Sequence, residues 1–273
     1  MYKIVSKSSL ALALIFTAAK AYPQQTTSET YSTSLFLKVL PEKEAAFIEF
    51  YKTGAGAKVV RARQKADPDS IGWNLRKLAF GGDPAPQANF VILAAGKGAP
   101  KEPDPVKRDE LYRTASGMSY VEYMQKVRSM SEQIGQTISH LHHMTDGYVT
   151  VEGDIVVATR LKVATGKMNE MADFERDFRM PMSQARVKDG RAKAWSFGHL
   201  AFPGSEQTYD ATEASVYKDL NSAMARNTGT AMTTFAKVFP GKDYARYISD
   251  RNALSKIART DVYRVMVSYR PQK

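Results

Sequence analysis

The four histidines are the side chains of this 273-residue sequence best suited to proton transfer or metal binding, and three of them are clustered. His140, His142 and His143 fall in a segment that alternates like a strand. Side chains two residues apart on a strand share a face, so His140 and His142 should point one way and His143 the other. Such a pair could bind a metal ion or transfer protons, or it could consist of ordinary hydrogen-bonded histidines. Because no carboxylate accompanies them in the local sequence, we predict no metal site.

The fourth histidine, His199, ends a short aromatic stretch. Strand alternation places Trp195, Phe197 and His199 on one face. This face could line a ligand pocket or bind haem iron, or His199 could be a hydrogen-bonded residue at the rim of a core. We include Trp195 and His199 among the candidate ligand-binding residues.

The rest of the sequence carries no common catalytic signature. It has no His-Glu-x-x-His, no Gly-x-Ser-x-Gly and no phosphate-binding Gly-x-x-x-x-Gly-Lys. The absence of cysteine excludes disulfides, thiolate metal ligands and a cysteine nucleophile. The formal charge of +11 suits an anionic partner. Nucleic acid is not predicted, because no basic run has interleaved aromatic residues. Whether the protein is an enzyme stays open.

An internal repeat is the strongest feature of the sequence. The same residues recur in the same order at an offset of 122 to 124 positions, and the only two tryptophans form one of the pairs. The clearest pairs are Leu37–Val39 with Leu161–Val163, Phe50 with Phe174, Trp73 with Trp195, Leu78–Phe80 with Leu200–Phe202, and Tyr120 and Tyr123 with Tyr244 and Tyr247. The sequence therefore predicts a tandem duplication, with units at 31–147 and 152–271.

The hydrophobic periodicity gives each unit the order β-α-β-β-α-β. This order is typical of a ferredoxin-like α+β unit, a four-stranded antiparallel sheet with two helices on one face. Each unit leaves the other face of its sheet uncovered, so we expect the two sheets to pack face to face as a barrel-like pair. Residues 96–118 form a Pro- and Lys-rich excursion in the first unit, which could be a lid or a surface loop.

These motifs resemble the dimeric α/β-barrel superfamily. The resemblance lies in Leu37–Val39, the turn at Pro41–Lys43, the aromatic-striped helix that follows, and the Trp and Leu-Ala-Phe-x-Gly motifs around Trp73 and Leu78. That group includes NIPSNAP-like and antibiotic-biosynthesis-monooxygenase-like domains and duplicated chlorite-dismutase-like haem proteins. The resemblance implies a ligand site between the sheets or under a loop, but no particular reaction.

The N-terminal segment predicts export. Residues 1–21 have a basic start, an apolar run at Leu10–Ala19 and a small-x-small cleavage site ending at Ala21, as in a secretory signal. Residues 22–30 form a polar tether. Removal of residues 1–21 takes away three lysines and no acid, so the charge falls from +11 to +8. We expect a periplasmic or extracellular protein, monomeric or homodimeric, with no membrane span after cleavage.

A basic site between the sheets is the most specific sequence prediction. If the apolar residues of the first and fourth strands face the helices, the intervening polar residues face the opposite side. These are Lys38, His140, His142, Arg160, Lys162 and Arg264. The alternative is that they form an ordinary solvated surface.

Three functions are compatible with these features. The first is binding of a small anionic or aromatic molecule between the halves. The second is haem binding, although no cofactor is predicted from the residues themselves. The third is a non-catalytic envelope protein that binds partners.

Overall fold

The computed structural model describes residues 29–82, 87–101, 103–148, 150–203, 208–225 and 230–271. The predicted signal segment and nearly all of the predicted tether lie outside these residues. The described part is an α+β structure with eight antiparallel strands. The strands are β1 (Thr30–Val39), β2 (Ser70–Phe80), β3 (Phe90–Lys97), β4 (Ser131–Met144), β5 (Ile155–Val163), β6 (Ala194–Phe202), β7 (Ala211–Tyr217) and β8 (Ser255–Tyr269).

The eight strands form one closed barrel. Their order around it is β1-β3-β2-β8-β5-β7-β6-β4, and every neighbouring pair is antiparallel. The strands of the first half therefore lie in the order β4-β1-β3-β2, and those of the second half in the same order, β8-β5-β7-β6. The halves meet at two seams, β2 with β8 and β4 with β6. The halves are thus joined edge to edge, which differs from the expected stacking of separate sheets.

The helices lie between the strands in the chain and pack on the outside of the barrel. They are α1 (Glu44–Lys52), α2 (Ala55–Ala66), α3 (Pro105–Ser116), α4 (Tyr120–Arg128), α5 (Met168–Phe174), α6 (Met180–Lys188), α7 (Leu220–Met224), α8 (Thr230–Val238) and α9 (Tyr244–Leu254). A π-helical turn at Glu175–Arg179 joins α5 to α6. No helix in the described ranges is both long and apolar enough to cross a membrane.

Local sequence signals account for several of these elements. Ser119 caps α4 as predicted: its hydroxyl accepts from the Glu122 amide at 3.2 Å, and the Glu122 carboxylate accepts from the Ser119 amide at 2.7 Å. Asp243 caps α9 by accepting from the Ala245 amide. Helix α3 lies within the 96–118 excursion. Its buried Tyr112 contacts Tyr123 of α4 edge to face, which makes α3 part of the helical layer.

Alternation along the strands separates two apolar regions. Trp73 on β2 and Trp195 on β6 are both buried on the outer, helix-covered side, each on the second strand of its half, as the repeat predicted. A smaller cluster inside the barrel includes Val156, Val216 and Val265. The barrel therefore has apolar residues on both its inner and its outer face. An apolar residue on a strand can thus point either way, and the polar residues beside it point to the other side.

Candidate functional site

A cavity of about 430 Å³ lies inside the barrel. Its volume falls within the range of roughly 300–1,000 Å³ that is usual for small-molecule sites. The wall is formed by aromatic and aliphatic side chains, by hydroxyl groups and by two arginines. Representative wall residues are Phe36, Val91, Leu141, Tyr209 and Tyr263, the hydroxyl residues Ser32, Ser34, Thr137, Ser139 and Thr212, and Arg76 and Arg160.

Arg76 is the unusual residue of this wall. It lies on β2, opposite Val91 of β3 and Val265 of β8, and only 4% of its surface is exposed. Its Nε donates to Asn74 Oδ1 at 2.6 Å, but Nη2 has no hydrogen-bond partner and no carboxylate pairs with the guanidinium among the described residues. A buried guanidinium is costly unless an anion or acceptor satisfies it. The cavity thus presents an unsatisfied charged donor.

The second arginine is neutralised within the protein. Arg160 Nε lies 3.1 Å from Oδ2 of Asp261, whose side chain is fully buried. The guanidinium also lies 4.6 Å from the centre of the Tyr209 ring. Burial acts to lower the pKa of Arg160, but the nearby tyrosine hydroxyls and Asp261 raise it above its ordinary value. Arg160 is therefore a charged residue already paired with its own carboxylate.

The six residues of the predicted basic site do not converge. Lys38 and Arg264 are exposed, and Lys162 is about half exposed and pairs with Asp210 at 2.9 Å. Of the six, Arg160 alone lines the cavity. On β1 and β5 the predicted faces are correct, but Lys38 and Lys162 lie at strand ends beyond the cavity.

The predicted face of β8 was correct for Val267 and Tyr269, which pack in the helix-covered cluster, but wrong for Tyr263 and Val265. Both of these belong to the cluster inside the barrel, so Arg264 points outward. Apolar residues on β8 could face either side because both sides of this barrel are apolar. Breaks of register in the pairing of β2 with β8 also interrupt strict alternation.

The same reversal applies to the histidines of β4. Thr137, Ser139 and Leu141 line the cavity, so His140 and His142 share a face, as predicted, but that face is the outer one. They meet His199 of β6 across the seam between the halves. Trp195 is also outside the cavity, buried in the core beneath α5.

The outer-face histidines form a compact group, which we call the histidine cluster: His140, His142 and His199. Each is half-buried, and one ring nitrogen from each lies within 4.8 Å of those from the others. His142 Nε2 and His199 Nδ1 are 2.6 Å apart. Burial, reinforced by the neighbouring imidazoles, lowers the pKa of His142 to about 4, and burial likewise lowers the pKa of His199. At neutral pH these two rings are uncharged, so each has one ring nitrogen that carries a lone pair.

The cavity does not supply an imidazole for haem ligation. Within the part of the chain that the structure describes, no histidine lines the cavity. His143 lies outside the cavity too, with its Nε2 2.9 Å from the carbonyl oxygen of Ala172 on α5. The prediction that it points away from the face of His140 and His142 was wrong, because a break of register between Leu141 and His143 interrupts the alternation. The cavity residues therefore do not fit a histidine-ligated haem.

Comparison with known proteins places the fold. A 2.55 Å structure of a candidate monooxygenase from Fusobacterium nucleatum is 11% identical and has a TM-score of 0.55, covering 89% of this chain and 94% of the other. An anthrone oxidase-like protein is 11% identical with a TM-score of 0.53, covering 91% and 95%. A haem-binding protein from Thermus thermophilus gives 8% identity and a TM-score of 0.46 over 87% and 91%, a likeness too weak to bear on cofactors. No family model and no curated protein matches the sequence. The chain therefore shares the α+β fold of the first two of these structures.

The sequence analysis missed two residues that bear on the cavity, Arg76 in its wall and Asp261, which pairs with Arg160. Arg76 could have been found, because Trp73 and Leu75 face the helices and alternation then turns Arg76 inward. Asp261 could not, because it is 101 positions from Arg160 in the chain and no local pattern links them.

Proposed function

We propose that this protein binds a small aromatic anion, a carboxylate or a phenolate or enolate, inside the barrel. The observation that carries the proposal is the buried guanidinium of Arg76, which faces the cavity without a carboxylate partner among the described residues. Charge-assisted hydrogen bonds from arginine to an oxyanion are among the stronger polar interactions in proteins. An anion at Arg76 would satisfy the donor that the protein leaves open.

The cavity size and its aromatic wall support the aromatic part of the proposal. In another protein a cavity of about 150 Å³ binds benzene, so a cavity of about 430 Å³ has room for a larger ring system. Phe36, Tyr209 and Tyr263 offer ring faces and edges to such a ligand. One structure of similar fold is described as anthrone oxidase-like. An anthrone is an aromatic ketone whose enolate belongs to the proposed ligand class.

We also propose that the barrel arose by tandem duplication and that one chain forms the complete site. The sequence offset of 122 to 124 and the same strand order in both halves support duplication. Both edges of each half are already paired within the chain, so no second copy is needed to close the barrel. Export by way of residues 1–21 is part of the same proposal and rests on the sequence pattern alone.

Titration calorimetry with salicylate tests the function, with uncharged salicylamide as the ligand control. Because a hydrogen bond to a charged group contributes about 1.5–3 kcal/mol, Arg76→Met should weaken salicylate binding by about 10- to 100-fold. Lys38→Met and Arg264→Met are matched controls, since both remove an exposed cation from the predicted basic site, and both should bind salicylate normally. Urea unfolding of each variant verifies the fold.

Two results would overturn the proposal. One is unchanged salicylate affinity in folded Arg76→Met. The other is a loss of affinity in Lys38→Met or Arg264→Met equal to that in Arg76→Met, which would show attraction by the general positive charge of the protein.

A further inference from the structure

The histidine cluster lies on the opposite side of the barrel wall from the cavity and has no role in the proposed anion site. His140 and His142 belong to the first half and His199 to the second, and His140 stands directly opposite His199 in the pairing of β4 with β6. The ring centres of His142 and His199 are 4.7 Å apart, and those of His140 and His142 are 4.8 Å apart. Three imidazoles are thus held together by the backbone of two hydrogen-bonded strands.

We propose that His140, His142 and His199 bind one divalent transition-metal ion across the β4–β6 seam. Imidazole nitrogens suit zinc, copper and nickel, and the chain has no thiolate to compete for the metal. Three protein ligands would leave a further coordination position for water or another small ligand, as in open zinc sites. The class of ligand is therefore a borderline metal ion, Zn²⁺ or Cu²⁺, and not a hard ion such as Ca²⁺ or Mg²⁺.

The spacing of the rings requires only side-chain adjustment. At Zn–N distances of about 2.0–2.1 Å, two ligands of a tetrahedral site are roughly 3.3 Å apart. His142 Nε2 and His199 Nδ1 are closer than this, at 2.6 Å, and the longest separation in the set is 4.8 Å. To reach about 3.3 Å, the 2.6 Å separation must widen and the 4.8 Å separation must shorten. These changes move ring atoms by about an ångström or slightly more, which small rotations of the rings can provide.

The surroundings favour a metal ion over an ordinary hydrogen-bonded arrangement. The contact between His142 and His199 satisfies one nitrogen of each ring. Across the ranges that the structure describes, no carboxylate is hydrogen-bonded to any ring of the cluster, so a protonated cluster would have no local counter-charge. His140 is stacked on Tyr31, at 5.0 Å between ring centres, which limits the directions its ring can take. A bound metal ion would instead be coordinated by one ring nitrogen from each of the three histidines.

The test uses the untagged full-length chain, because a histidine tag would add ligands of the same kind. Zn²⁺ titration followed by calorimetry should give one site per chain. The single variants His142→Gln and His199→Gln should each weaken that site by at least about tenfold. His143→Gln is the matched control: it removes the adjacent imidazole of the same strand, which faces Ala172 instead of the cluster, and it should bind Zn²⁺ normally.

Co²⁺ provides a second readout that a purely structural effect of the substitutions would not produce. Co²⁺ bound at the site should give visible d–d bands that Zn²⁺ displaces, and these bands should be missing in His142→Gln and His199→Gln. The proposal fails if binding is not saturable at one ion per chain, or if these variants bind Zn²⁺ as tightly as His143→Gln. Arg76→Met should leave Zn²⁺ binding unchanged, so failure of the anion site and failure of the metal site are separate outcomes.

Discussion

Asp261 should be among the most sensitive positions for stability, because its fully buried carboxylate is paired with the buried Arg160 of the cavity wall. Its Oδ2 lies 3.1 Å from Nε of Arg160 and 3.1 Å from Nε of Arg259, and it accepts from the Tyr263 hydroxyl at 3.3 Å. Asp261→Asn keeps the shape and one oxygen acceptor but removes the charge. Breaking a buried ion pair typically costs about 3–5 kcal/mol. Because the amide still accepts one hydrogen bond, we expect the loss of stability to lie at the lower end of this range, about 3 kcal/mol.

Urea unfolding, followed by tryptophan fluorescence, measures this loss. A domain typically has about 5–15 kcal/mol of stability, so the variant should fold but unfold at clearly lower urea. Glu152→Gln, which breaks the exposed pair with Lys52, is the control and should leave the midpoint unchanged.

A second measurement separates the loss of charge from a packing defect. In Asp261→Asn the guanidinium of Arg160 becomes a second unpaired cation of the cavity wall. Salicylate should therefore stabilise this variant more than it stabilises the wild type at the same concentration. A variant that is as stable as the wild type, or one that salicylate stabilises no better, would contradict the role given to the Arg160–Asp261 pair.

Two further substitutions test other parts of the structure. Burial and the adjacent Glu213 raise the pKa of Glu175, so the native protein holds a proton that the unfolded chain loses above the ordinary glutamate range, and the contribution of Glu175 to stability should fall as pH rises. Glu175→Gln mimics the protonated form, and its advantage in urea unfolding should grow between about pH 5 and 8, by at most about 1.4 kcal/mol per pH unit; an advantage that shrinks would contradict this. A Cβ on Gly198 would lie 2.6 Å from the His140 carbonyl oxygen, so Gly198→Ala should cost about 1–3 kcal/mol and weaken Zn²⁺ binding. Gly135→Ala, with open space around the new methyl group, is its control, and equal thermal shifts would refute the argument.

The sequence predicted the elements whose residues have one clear periodicity. Alternation of apolar and polar residues predicts a strand over Ile155–Val163, which are the observed bounds of β5. Ser119 followed by Glu122 three positions later predicts the observed cap of α4. The same alternation predicts strands over Thr137–Met144 and Val262–Arg270, so the prediction begins β4 six residues late and β8 seven residues late. Their first segments, Ser131–Gln136 and Ser255–Asp261, are largely polar, and most of their residues are exposed or partly buried, so they carry no apolar repeat.

The candidate sites were harder to predict from the sequence, for a different reason. The sequence grouped His140 with His142 correctly, because their relation is local. It could not show that His199 lies opposite them, since that contact depends on how the two halves are joined. It also assigned cations to the interior by assuming that only the helix-covered face is apolar. Tyr263 and Val265 contradict that assumption, and the error moved Arg264 to the wrong side of the wall.

The seams that join the halves within one chain also permit a cavity without two-fold symmetry. The offset of 122 that relates Trp73 to Trp195 relates Arg76 to Gly198, and the offset of 124 relates Arg160 to Phe36. In a barrel made of two identical chains, an arginine at the position of Arg76 would occur twice, and two like charges would share one small cavity. Among the residues that the structure describes, Arg76 is the one unpaired guanidinium of the cavity wall. A ligand with one negative group can then bind in one orientation, whereas a symmetric barrel would offer it two equivalent ones.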